Sequence, residues 1–415
     1  MSSPPDVPDR HRPAARAQAV DESARAAAID HIAVWGDADP APFAVLAEEA
    51  VKASTTDERR RRRRPLAVAR QMLVGLAALW VFLVALALMK DGSRGLAPAL
   101  GEAVGGVLDA VGIGWLGSLL VLSGSPVAAS ALALFDGEFL DVDEAYGMIV
   151  GSRLGAAFVV LVVGAAYALT GRAVGRRAPI SIGVLALSLT AIIYLPGGIA
   201  GLLLLRSGVL DSLSLTPPPV FFDLTDAATA PVVRAIESAL RLETGIGAGL
   251  TFVAGLLLLL ASFRLVDVLL PQLNAADTGA RARWYVGPWT MFGIGLAVAL
   301  ATLSVSVALS LLVPAVSRGF LRREQILPYI AGANITTLVD TLLVAILLGN
   351  DAAPRIVLSL AAGITLVTLL ILALAYRSVR RGVFRMQEVV LVSPARLAAF
   401  VGIVFAVPLL LLLAS

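Results

Sequence analysis

The chain has 415 residues, 58% of them hydrophobic and only 15% charged, with a net charge of +3 and a mean hydropathy of +0.86. A soluble domain is about half apolar and about a quarter charged, so an aqueous core of this length cannot absorb the excess, and the small positive balance does not suit a nucleic-acid binder. There is no cysteine, and the only histidines, His11 and His31, stand in the polar N-terminal stretch, which removes disulfides, thiolate catalysis and imidazole chemistry from the hydrophobic body.

Residues 1–64 are rich in Pro, Ala, Asp and Arg. They read as a cytosolic tail that buries little, with one short helix near Pro42–Ala53. No apolar segment near Met1 has the form of a cleavable signal peptide. The run Arg59–Arg64 reads as a topology anchor beside anionic lipid.

About 20 apolar residues cross a bilayer core. Such spans are predicted near Gln71–Met89, Tyr146–Thr170, Ile180–Leu205, Gly247–Leu270, Ile326–Leu348, Ile356–Tyr376 and Leu397–Leu413. Two further apolar stretches, Leu96–Leu134 and Val286–Val316, are interrupted by small and hydroxyl residues. Thr216-Pro217-Pro218-Pro219 opens an external, partly helical connector, read as a surface cap. Arg264 and Asp267 read as a local salt bridge near a cytosolic span end.

Loop charge sets the orientation. With Arg59–Arg64 inside, the loop from Asp136 to Glu144 is external and acidic. Arg172, Arg176, Arg177, Arg281, Arg283, Arg318, Arg322, Arg323, Arg377, Arg380, Arg381 and Arg385 then fall inside, as the positive-inside rule requires. This holds only if each interrupted stretch turns back within the membrane, one from each side. The expected organisation is a first transmembrane repeat over 65–205, an extracytoplasmic connector over 206–245, a second, inverted repeat over 246–376, and a basic loop with a final span over 377–415.

The two halves resemble each other at one offset. Leu122-Ser123-Gly124-Ser125 aligns with Leu303-Ser304-Val305-Ser306, Phe139-Leu140 with Phe320-Leu321, and Ile149-Val150-Gly151 with Ile330-Ala331-Gly332 (332 − 151 = 181). The predicted fold class is therefore an all-α polytopic membrane protein. It has two inverted repeats, each with a re-entrant helical hairpin, plus an extra C-terminal span. Inverted repeats with interrupted helices are frequent in secondary transporters, whose sites lie near the midplane. Non-helical backbone at that depth must be buried or face a water-filled cavity.

These motifs resemble those of the sodium-dependent phosphate cotransporters. That family carries a Gln-Ser-Ser-Ser motif in each of two re-entrant hairpins, each followed by a span opening Gly-Ala-Asn-Ile-Gly-Thr-Thr. Gly332-Ala333-Asn334-Ile335-Thr336-Thr337 is similar to the second signature, with Thr336 in place of Gly, and Pro328-Tyr329-Ile330 precedes it. In the first copy Gly151-Ser152-Arg153-Leu154-Gly155 keeps only the glycines. The motif glutamines are Leu122 and Leu303 here, and the middle serines are Gly124 and Val305. The matching parts cover about a quarter of the chain, roughly Gly112–Val163 and Gly293–Ile346.

The resemblance implies Na⁺-coupled symport of inorganic phosphate or a related anion. It implies substrate or ion binding at Ser123, Ser125, Ser304, Ser306, Asn334 and Thr337, with Na⁺ drawing on Ser125, Ser306, Thr337 and Asp340. Each Ser-x-Ser can instead satisfy helix carbonyls or fill a tight helix contact. Asp340 lies one turn beyond Thr336-Thr337 in an apolar span, where an ionisable group is costly and marks an ion or proton pathway; a structural pair with an arginine is the plain alternative. Arg153 aligns with Asn334 and has three readings: a bidentate oxyanion ligand, a partner of Asp340 that seals the site, or a side chain snorkelling to the outer surface.

The sequence-level expectation is a non-enzymatic secondary transporter in a bacterial-type inner membrane, multi-pass with a cytosolic N-terminus. It uses no cofactor beyond Na⁺ or H⁺ as coupling ion. Its partners are the lipid bilayer and a small inorganic anion, with no nucleic acid, and a homo-oligomer is compatible with the pattern. No Gly-x-x-x-x-Gly-Lys-Ser/Thr loop is present for ATP hydrolysis. The alternative is a non-transporting membrane scaffold or regulator that keeps a degenerate transporter fold. A membrane-embedded lipid enzyme lacks the acid/base groups it needs.

Overall fold

The computed structural model describes residues 64–100, 104–169, 177–213, 217–241, 244–269, 287–302, 308–309, 312–317 and 323–413, with 215 and 321. The expected helix near Pro42–Ala53 and most of Arg59–Arg64 lie outside these residues, as does the side chain of Asp267, the expected partner of Arg264. The chain divides into two units, residues 1–70 and 71–415. Of the first, only the opening turns of α1 are described; all the other helices belong to the second.

Every regular element among the described residues is helical. In chain order they are α1 (Arg64–Leu100), α2 (Val107–Val121), α3 (Ser125–Asp136), α4 (Val142–Ala156), α5 (Phe158–Leu169), α6 (Arg177–Arg206), α7 (Pro219–Leu240), α8 (Gly245–Leu269), α9 (Pro288–Thr302), α10 (Leu312–Ser317), α11 (Arg323–Thr336), α12 (Leu338–Leu347), α13 (Ala352–Leu370), a π-helical segment (Ile371–Ala375), α14 (Tyr376–Leu391) and α15 (Pro394–Leu413). Seven helical stretches are long and apolar enough to cross a membrane, and all seven expected spans are among them. The chain is thus a multi-pass membrane protein by length and composition.

Three departures from the sequence expectation matter. The spans begun by α4 and α11 are not continuous: a single non-helical residue interrupts each, Ala157 between α4 and α5 and Thr337 between α11 and α12. The basic loop expected after Tyr376 is instead helical. The stretch Ala352–Leu391 runs as one rod through the π segment, and Arg377, Arg380, Arg381 and Arg385 lie on α14. Hydropathy cannot distinguish these cases, because it reports burial of side chains and not the path of the backbone.

The first interrupted stretch is two short helices. α2 ends at Leu122, whose φ of 56° is left-handed and where glycine is the usual occupant. Ser123 and Gly124 complete the turn, and Pro126 sits at the start of α3, where its missing N–H costs nothing. At 1.5 Å per residue, α2 is about 22 Å long and α3 about 18 Å, each short of a core of about 30 Å.

Glycines set the tightest helix contacts, and these recur through the chain. A Cβ on Gly114 of α2 would lie 2.0 Å from the carbonyl oxygen of Met148 on α4, and one on Gly151 of α4 would lie 2.0 Å from that of Val111 on α2. At the same 181-residue offset, a Cβ on Gly295 of α9 would meet the Tyr329 oxygen of α11 at 2.0 Å. One on Gly332 of α11 would meet the Phe292 oxygen of α9 at 2.1 Å. Only hydrogen fits at all four positions, so α2–α4 and α9–α11 pack backbone to backbone in the same register. In lipid, where tails are as apolar as leucine, such close contact drives helix association.

The halves differ at their rims. α15 covers α2: the Gly112 Cβ direction points at the carbonyl oxygen of Pro408, 2.8 Å away. At the equivalent Gly293 of α9 nothing described lies within 4 Å. α6 packs against α5, α11 and α13 and is buried throughout Ser181–Thr190. α7 is held on α1 by Trp80 Nε1 donating to the Ala228 carbonyl at 3.0 Å, and by Val233 seated on Val84 and Leu88.

Candidate functional site

Two charged side chains lie deep in the helical body and face each other. Arg153, in the last turn of α4, and Asp340, in the first turn of α12, have side chains 3% and 10% exposed, with Arg153 Nη2 3.4 Å from Asp340 Oδ1. Each stands within a turn of a helix interruption, Arg153 before Ala157 and Asp340 after Thr337. An interruption leaves backbone groups without helical partners, and polar side chains collect there.

The hydroxyl of Thr341 joins the two charges. It accepts a short bond from Arg153 Nη2 and donates to Asp340 Oδ1 at 3.1 Å, and the Thr341 amide donates to the same oxygen at 2.6 Å. Arg153 is not saturated by this arrangement: its Nε is buried and has no hydrogen-bond partner among the described residues. A guanidinium has five N–H donors in a fixed fork, and here the carboxylate engages it at one nitrogen and at long range.

Asn334 and Thr337 belong to an adjoining network. Asn334 Nδ2 donates to Thr190 Oγ1 at 3.1 Å, Tyr194 Oη donates to the Asn334 carbonyl at 2.8 Å, and Tyr194 Oη and Thr337 Oγ1 are 3.1 Å apart. Thr337 Oγ1 also donates to the Asn334 carbonyl at 3.1 Å. This ties the end of α11 to the centre of α6.

Ser123 and Ser125 flank the α2–α3 turn and are half-buried. The turn abuts α4 beside Arg153: a Cβ on Gly124 would lie 2.8 Å from the Ser152 carbonyl oxygen and 3.0 Å from Ala156 Cβ. α3 packs in turn against α12. Ser304 and Ser306 lie outside the described residues. The described site residues therefore fall in one region, and of the three readings of Arg153 the geometry has the pairing with Asp340.

Three participants were missed by sequence reasoning: Thr190, Tyr194 and Thr341. Thr190 and Tyr194 are one turn apart in an apolar span, and Thr341 follows Asp340 directly. Polar residues at i and i+4 of a span were the available signal, but hydropathy averages them away.

One end of the bundle is closed by a second polar knot. Lys90 Nζ pairs with Asp136 Oδ2 at 2.8 Å and donates to the Leu348 carbonyl at 3.3 Å, while Asn350 Nδ2 donates to Asp136 Oδ1 at 3.2 Å. It joins α1, the end of α3 and the turn before α13. Nearby, outside the spans, Glu237 of α7 faces Asp91. Burial, a hydrogen bond with Asp91 and repulsion from it push the Glu237 carboxyl up to about 7.

The chain matches no known family model, no curated protein and no solved structure.

Proposed function

We propose that this protein is a secondary transporter of a small inorganic oxyanion, phosphate-like, moved together with Na⁺ or H⁺. The observation that carries the reading is the buried Arg153, whose Nε–H has no hydrogen-bond partner among the described residues while its carboxylate partner sits at 3.4 Å. A buried ion pair with incomplete hydrogen bonding is a poor source of stability. Ionisable side chains inside membrane spans mark ion and substrate pathways by default.

The chemistry follows from charge balance. An arriving oxyanion takes the guanidinium fork bidentately and displaces Asp340. The freed carboxylate then needs a cation, and Na⁺ or H⁺ supplies it, with the hydroxyls of Ser125, Ser306 and Thr337 as neutral oxygen ligands. Neither charge is stranded in a dry interior, so binding of anion and cation is coupled without any further device.

The architecture we infer is a pair of inverted repeats. Support comes from the 181-residue recurrence of the glycine contacts and from the interruptions at Ala157 and Thr337. The lengths of α2 and α3 suit a hairpin that enters and leaves by one face. Loop charge supports a cytosolic N-terminus, and the reading places the protein in a bacterial-type inner membrane.

One observation favours a second reading. Arg153 and Asp340 neutralise each other, and the motif glutamines of the resembling family are leucines here. A scaffold or regulator with a sealed site fits that. Radiolabelled phosphate uptake into proteoliposomes, with and without a Na⁺ or proton gradient, separates the two. Gradient-dependent uptake lost in Arg153→Lys, whose point charge cannot replace the fork, is the expected result. No uptake of phosphate, sulfate or arsenate under either gradient assigns the scaffold role.

A further inference from the structure

Between α6, α11 and the joint of α13 with α14 lies a narrow crevice, lined by Leu189, Ile193, Ala331, Thr368, Leu372 and Arg380 among others. It has room for about one water molecule. Three features give it a direction. Its walls adjoin the polar network along the chain: Leu189 precedes Thr190, Ile193 precedes Tyr194, and Ala331 stands one turn before Asn334. Arg380 is the charged residue among its described lining. The rod from Ala352 to Leu391 starts beside the Lys90–Asp136 knot, and its first crevice residue, Thr368, stands about 24 Å further along the helix, whereas Asp340 stands about 12 Å along α12 from Leu348, the Lys90 acceptor, so the crevice begins farther from the knot than Asp340 does.

A further feature is an orphan. Thr368 is wholly buried in the crevice wall, and its Oγ1 has no hydrogen-bond partner among the described residues. A helical threonine ordinarily folds its hydroxyl back onto the preceding turn, and buried polar groups without partners are uncommon enough to need a reason. Three residues later the helix changes pitch, and the π-helical Ile371–Ala375 begins. A π turn carries one extra residue in the hydrogen-bond ladder, is frequent at functional sites and is a place where helices kink. Ile371 and Leu372 of that segment face the crevice.

We propose that this crevice is the collapsed access path between the Arg153–Asp340 site and the face bearing Arg380. It opens by movement at the π segment, and Arg380 and Thr368 are contact points for a hydrated oxyanion. The cargo rests on the transport reading; the path itself does not. Arg380 concentrates anions at the mouth, and the Thr368 hydroxyl offers a donor halfway in, where the other walls are mostly apolar.

The native chain has no cysteine, so single cysteines in the full-length protein report accessibility directly. Thr368→Cys and Ala331→Cys are each placed in sealed vesicles of both orientations and treated with membrane-impermeant methanethiosulfonates, one anionic and one cationic. Leu360→Cys, fully buried on the same rod away from the crevice, is the packed control. Both test cysteines are expected to react at least about tenfold faster than the control, from the Arg380 face alone. The anionic reagent leads the cationic one by about tenfold, and Arg380→Gln removes that lead. Reaction no faster than Leu360→Cys, or from the opposite face, overturns the path. Labelling as expected in a protein that takes up no oxyanion overturns the transport reading and leaves the path standing, so the two failures are distinct.

Discussion

At the residue scale, the Arg153–Asp340 pair sets the energetics of the centre. Removing one member of a buried pair strands the other charge and costs about 3–5 kcal/mol, whereas replacing both with apolar groups of similar volume is close to neutral. Asp340→Leu alone and Arg153→Met alone should therefore each destabilise the purified protein by about 3 kcal/mol, and the double variant should recover most of that loss. Denaturant unfolding in detergent micelles measures it, and additive losses would show that the two groups do not interact. Uptake should behave differently: both singles and the double variant should be inactive, because stability returns with apolar replacements and anion binding does not. Ser306→Ala and Asn334→Ala should also abolish uptake while the protein still elutes as a folded species. Normal transport in both would remove them from the site.

At the element scale, the contacts most sensitive to change are the paired glycines. Gly151→Ala and Gly332→Ala put a methyl about 2 Å from a carbonyl oxygen across the helix pair, and overpacking of this kind costs about 1–3 kcal/mol. Equal losses in the two variants, read from thermal unfolding, are expected if α2–α4 and α9–α11 are equivalent. Gly293→Ala, with nothing described near its Cβ direction, should be silent. The docking of α7 carries a pH dependence. Burial and Asp91 hold Glu237 protonated to about pH 7, above its unfolded value. The folded state thus binds the extra proton, and the contribution to stability is complete at low pH and is lost as pH rises through about 7. Protection of the α7 amides, taken as exchange relative to the intrinsic rate at each pH, should fall between about pH 5 and 8. Glu237→Gln should flatten that slope, and an unchanged slope would place its origin elsewhere.

At the scale of the whole molecule, the rod from Ala352 to Leu391 links two unlike features. The Lys90–Asp136–Asn350 knot fastens α1, α3 and the turn before α13, while a water-sized crevice lies farther along the rod, beside the π turn. Lys90→Gln should loosen the knot and raise the reactivity of a cysteine introduced at Ser93, wholly buried and bonded to the Ala133 carbonyl, towards impermeant reagents from that side. Unchanged reactivity would mean that the knot does not hold that end shut.

Composition and hydropathy alone determined the all-helical, multi-pass character and the seven spans, because about 20 apolar residues in a row have no other stable setting. A 181-residue offset was legible too: the pairs carried by Ser123, Ser125, Gly151 and Gly332 have the spacing at which the Gly114–Met148 contact recurs as Gly295–Tyr329. Asp340 and Arg153 stood out because charge is expensive in an apolar run. What the one-dimensional pattern could not decide was which partner each would take. The interruptions at Ala157 and Thr337, the α14 helix in place of a loop, and the roles of Thr190, Tyr194 and Thr341 depend on which helices lie side by side. That choice is made by backbone-to-backbone packing at glycines and by the need of every buried donor for an acceptor. Both are properties of neighbours in space and not of neighbours in sequence.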